Sequence, residues 1–245
     1  MRWLQWLGPT LSATLVLFGC AALGPQPRAD VEAPSILAAS DQNGWWQARY
    51  RINWPPDSDP YWYVDLYIAH QIVAPVLTRY RSEIVLWRFH RRAVRDDSGH
   101  QFSFLFYTTA QTAGKIYTDL RSDRRVQLLK SGGKLLQDDY DDIVRRSKPQ
   151  IEDTSDPGWT APVRKSWPYF IMGVSRMWLQ LISEIADQTP AVPPPASRET
   201  EFYQQVQVSM TNLWQTEARH AFLHHLNALF AYEPIIVYEK RYLQF

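Results

Sequence analysis

The sequence predicts an α+β fold, with amphipathic helices packed around a small antiparallel sheet built on one β-hairpin. Three observations carry this. Residues 84–107 alternate side-chain character on either side of a turn-forming run, "RDDSG". Several other stretches space their apolar residues three and four apart, the period of a helix with one buried face. Proline- and glycine-bearing breaks separate these stretches, and no internal repeat appears. The chain has 245 residues and one cysteine, so its stability rests on its core rather than on disulfides. Eleven tryptophans and thirteen tyrosines supply large areas for that core.

Taken in order, residues 21–43 are small, polar and proline-spotted, which is the composition of a tether. Order is expected to begin near "GWWQARYRINWPP", where aromatics cluster; Trp45, Trp46 and Trp54 read best as residues sealing a core where the chain enters its domain. Asp59-Pro60 reads as a helix N-cap and first turn. Val64, Tyr67, Ile68, Ile72 and Val76 form the stripe that follows, and Pro75 should kink or stop that helix. The hairpin spans 84–94 and 100–107. Pairing through a four-residue turn at 96–99 sets Ala93 opposite Phe102, Arg91 opposite Phe104 and Phe89 opposite Phe106. That face is apolar apart from Arg91, and the other carries Arg88, His90 and Arg92 beside Ser103, Leu105 and Tyr107.

Residues 109–130 read as mostly helical, with Ala113, Ile116, Tyr117 and Leu120 on one side and Ser131-Gly132-Gly133 as the stop. Residues 134–165 read mostly as loop. A further helix is expected over about 168–186, where Ile171, Val174, Trp178, Leu181, Ile182 and Ile185 form a stripe. "QTPAVPPPAS" (188–197) is a stiff connector and a possible subdivision of the body. A long helix over about 198–230 follows, and the tail "PIIVYEKRYLQF" suggests a closing strand that could add to the hairpin.

The first 20 residues have a different character. Arg2 precedes an apolar run densest from Leu11 to Phe18, then a small residue and Cys20. This is the order of an export signal, and polar residues and Pro9 break it too often for a convincing membrane span. Leu17-Phe18-Gly19-Cys20 resembles the lipobox of bacterial lipoproteins. The resemblance covers these first residues only. It implies cleavage after residue 19 and a covalent diacylglyceryl group on Cys20, usually with an amide-linked chain on the new amino terminus. It also implies a place in the cell envelope, and Ala21 after the cysteine implies the outer membrane if the source is Gram-negative. The organisation is then a signal peptide at 1–19, a lipidated cysteine and tether at 20–43, and a folded body at 44–245. The whole chain carries 26 basic and 25 acidic residues. Removing Arg2 with the signal leaves the mature chain, tether included, neutral, which argues against a general nucleic-acid binder.

Two clusters are candidates for chemistry. Arg88, His90, Arg92 and Tyr107 on one hairpin face could hold an anionic partner, because guanidinium groups donate in parallel to phosphate or carboxylate. A plain solvated face, or one covered by the acidic "DDYDD" (138–142), is the competing reading. Glu217, His220 and His224 share one side of a helix, and such groups can ligate zinc or iron. Continuation of the Val206, Met210, Leu213 stripe places Glu217 and His220 partly in the core instead. "DDYDD" lacks the spaced ligands and glycine of a calcium loop, and "GVSRM" (173–177) lacks the second glycine of a nucleophile elbow. No cofactor beyond the lipid on Cys20 is expected. The function best supported is a membrane-tethered accessory lipoprotein that binds or positions an envelope protein or an anionic glycan or lipid. A periplasmic metal-dependent enzyme using Glu217, His220 and His224 is the competing class, and a structural spacer is a third.

Overall fold

The structure is a computed structural model and describes residues 42–189 and 199–234. Cys20 with its signal and tether, most of the proline-rich connector and the expected closing strand lie outside the described residues.

The fold is α+β. Strands β1 (Asn43–Ile52), β2 (Leu86–Ala93), β3 (His100–Thr109) and β4 (Leu135–Tyr140) form one antiparallel sheet in the order β2-β3-β1-β4. Helix α1 (Trp62–Tyr67) passes through a π segment (Ile68–Val73) into α2 (Ala74–Arg79). Helices α3 (Ala110–Ser122) and α4 (Arg124–Ser131) follow β3. A 3-10 turn (Ile151–Thr154) leads to the long α5 (Ala161–Gln188). Helix α6 (Glu199–Leu213) runs through a second π segment (Trp214–Ala218) into α7 (Arg219–Ala228).

Helices α1 to α4 pack on the sheet face that carries Trp46, Ala48, Tyr50, Phe102, Phe104 and Phe106, all at most 1% exposed. Phe104 and Phe106 stack with centroids 4.8 Å apart, and Tyr117 of α3 meets Phe106 edge-on. Such pairs add to plain area burial. Trp45 on the opposite face seals a smaller cluster with Leu86 and Leu105. The indole N–H groups of Trp45 and Trp46 donate to the carbonyls of Ile151 and Thr108, so burying them leaves no polar group orphaned.

Helix α5 straddles the open edge of β2. Met172 packs on the Trp45 cluster, Ser175 Oγ accepts the Phe89 N–H at 3.0 Å, and Trp178 and Ile182 join the main core. An unpaired strand edge is thereby covered.

Four details differ from the sequence reading. The hairpin register is Ala93 opposite His100, Arg91 opposite Phe102 and Phe89 opposite Phe104, two residues from expectation. The connecting loop is wider because Asp96 Oδ1 captures the N–H groups of Ser98 and Gly99, while Gly99 adopts φ +61°. A two-residue slip preserves the faces, since side chains alternate with period two. The first helix starts at Trp62 rather than at Pro60, and at Pro75 it neither stops nor needs a sharp kink. A π turn just before Pro75 widens the backbone where the proline ring would meet the Gln71 carbonyl. Helix α5 starts at Ala161, with Pro162 in its first turn. Finally, residues 135–140 form a strand where loop was expected, paired to β1.

Candidate binding groove

Between the β2 edge, α5 and the α6–α7 helix lies an open groove of about 420 Å³. Its size falls in the range of small-molecule sites, about 300–1,000 Å³. Ile171, Val174, Met177 and Leu181 of α5 form one wall, and Met210, Leu213, Trp214, Ala218 and Phe222 form another. Because α5 buries only part of its circumference against the sheet, its remaining apolar positions face this space. Strand β2 supplies the polar wall, with Arg88, His90 and Arg91.

Arg91 is the one cation on the apolar hairpin face, and the structure shows how it is accommodated. Its Nε donates to Asp65 Oδ2 at 2.7 Å, and its guanidinium lies 4.8 Å from the ring centroids of both Trp62 and Trp178. Asp65 is fully buried and also stands 3.0 Å from His100 Nε2, although that pair is out of line for a hydrogen bond. Arg91 is thus charge-compensated and held in place.

Arg88 has a different environment. It is half-buried, burial pushes its pKa down, and its Nε is shut off from solvent with no hydrogen-bond partner among the described residues. His90 beside it is held below the ordinary imidazole value, by desolvation first and then by Arg88 and Arg92.

The structure brings Arg88 and His90 together in the groove but not the other two members of the expected cationic face. Arg92 turns to Asp96 at 2.6 Å in the hairpin loop. Tyr107 pairs with Leu86, one step along the same face from Arg88, but its hydroxyl donates to the Pro149 carbonyl and its ring meets Trp45. The acidic run cannot cover Arg88 or Arg92, because β4 occupies the sheet edge opposite β2. There Asp139 and Asp141 pair with Arg49, and Asp138 pairs with Lys130.

Glu217, His220 and His224 are exposed rather than partly buried, and the π segment is the reason. Its extra residue per turn moves the inward position from 217 to Ala218, which is 4% exposed, and from 221 to Phe222. The His220 and His224 rings stack at 4.8 Å. Among the described residues no group of three or more histidine, cysteine or acidic side chains is placed to hold a metal ion.

The sequence reading missed the groove itself, together with Met177, Trp214 and Phe222, and named Met210 only as part of a core stripe. The α5 stripe was visible, but it was broader than the sheet alone could cover. Among the described residues no helix is long and apolar enough to cross a membrane. No protein-family model matches the chain, and no curated protein matches it in sequence. Among solved structures, the crystal structure of TsrL is similar at a TM-score of 0.35 and 12% identity. The match covers 76% of this chain and 56% of TsrL, so it spans little more than half of that protein. A likeness so slight bears on neither fold nor function.

Proposed function

We propose that this protein is a membrane-tethered accessory lipoprotein of the bacterial cell envelope that binds a partner in the groove beside β2. The lipid on Cys20 would hold the chain at the membrane surface, and residues 21–43 would give the body its reach. The supporting observation is the groove: an apolar cleft with cationic groups confined to one wall is a surface suited to recognition. Nothing in its lining forms a nucleophile–base pair, so binding is favoured over catalysis.

A photoreactive amino acid placed at Val174, which lines the groove, should yield an adduct in intact membranes. The same residue at exposed Arg176 should not. Equal yields from the two positions, or none from Val174, would count against the groove as a binding site.

A further inference from the structure

We infer that the groove receives an acyl-chain lipid with an anionic head, the head meeting Arg88 on β2 and the chain lying between α5 and the α6–α7 helix. This deepens the binding reading above and rests on it.

The distribution of charge is the first reason. Asp65 already compensates Arg91, whereas Arg88 forms no ion pair among the described residues and keeps a buried Nε without a partner. A half-buried cation of this kind is costly unless an anion meets it. No aspartate or glutamate lines the groove, so nothing in the lining supplies that anion. His90, two residues along the strand, adds a ring nitrogen able to share a head-group oxygen.

The shape of the apolar surface is the second reason. Beyond β2 both walls are apolar apart from Ser175, whose hydroxyl is engaged by the Phe89 N–H and the Ile171 carbonyl, and two of the lining residues are methionines, which adapt to flexible occupants. One polar wall and an otherwise apolar channel describe an amphiphile. A glycan would find few polar partners here, and a small inorganic anion would leave the apolar walls uncovered. A partner helix could cover the walls, but it would have to bury an acid to meet Arg88.

The test uses the full chain in its membrane and a C16 fatty acid carrying a diazirine, with adducts mapped by mass spectrometry. The same C16 chain ending in an alcohol serves as the neutral probe. The acid should label the segments around Val174 and Leu213, and excess palmitate should compete. Arg88→Gln should reduce labelling by the acid about tenfold and change labelling by the alcohol little, as expected for loss of a charge-assisted contact. Val174→Trp should fill the groove and block both probes, with circular dichroism verifying that each variant is folded. Acid labelling scattered over the surface, or unchanged in a folded Arg88→Gln protein, overturns the lipid assignment. So does a groove that excludes the acid but crosslinks from Val174 to a protein, an outcome that leaves the tethered-binding reading standing. Loss of both signals overturns both.

Discussion

Asp65 has no solvent exposure, yet its carboxylate is the counter-charge for Arg91 and lies against buried His100. Removing one member of a buried pair leaves the other uncompensated, at a cost of about 3–5 kcal/mol. Arg91 keeps 28% of its side chain exposed, which softens that penalty. Asp65→Ala should therefore destabilise the body by about 3 kcal/mol, read as a lower urea midpoint with an unchanged m-value. A loss below about 1 kcal/mol would mean that water and the two indole rings carry Arg91 without the carboxylate. Part of this site was legible in the sequence. Arg91 stood out as the charge that breaks an apolar hairpin face, and the groove residues Arg88 and His90 alternated on the other. Their partners were not legible, because Asp65 lies 26 positions from Arg91 and meets it only through tertiary packing. Trp178 is farther still along the chain. Arg92 and Tyr107 shared a face with Arg88 by period, but period says nothing about Asp96 and Pro149, which engage them.

At the level of elements, hydrophobic period located the hairpin and the helices, and local irregularities decided what the period could not. Both π segments change which residue faces inward, and helical period assumes a constant turn. One accommodates Pro75; the other carries Glu217 and His220 out to solvent. Strand β4 was missed because "LLQDDY" buries only Leu135 and lies at a sheet edge, where alternation is weak. Its acids are held by Arg49 and Lys130, contacts that only the fold creates. The first helix is also tied to α6 by polar side chains. Tyr67 donates to Glu199, while His70 Nδ1 and Gln71 meet the Tyr203 hydroxyl, whose pKa burial pushes up to about 12. Burial holds His70 below the ordinary imidazole value, opposed by the more distant Asp187. The folded state thus binds fewer protons than the unfolded chain between the folded pKa and about 6.5. Its contribution to stability is fully present above about 6.5 and is lost as the pH falls through the folded pKa. His90 titrates with the same sign. Denaturation at a series of pH values should show stability declining below about 6.5, with a shallower decline in His70→Gln and in His90→Gln. An identical slope in both variants would assign the acid sensitivity to other groups.

For the whole molecule, the proposed envelope location raises the question of what would hold a mature chain of balanced charge at a membrane. No helix among the described residues is long and apolar enough to cross one, and balanced basic and acidic residues give no general attraction to anionic lipid. On the proposed reading, anchoring would come from Cys20, whose surroundings resemble the lipobox of bacterial lipoproteins. The physics is additive: each buried methylene contributes about 0.8 kcal/mol, and a single acyl chain gives only marginal, reversible binding. A diacylglyceryl group passes that threshold without help from the body. The proposed groove ligand would give such an anchor a use. An acyl lipid bound there would have to leave a bilayer, and a site tethered within reach of that bilayer would meet it at high effective concentration. Cys20→Ser should leave the chain unacylated, and either stalled as an uncleaved precursor or released from the membrane fraction. Mass spectrometry of the mature amino terminus, with fractionation of wild type and variant, reads both outcomes. An unmodified Cys20 in an uncleaved wild-type chain that still sediments with membranes would replace the lipid anchor with a signal anchor. Release without loss of fold in Cys20→Ser would show that the lipid holds the body in place and that the core described here needs no membrane to form.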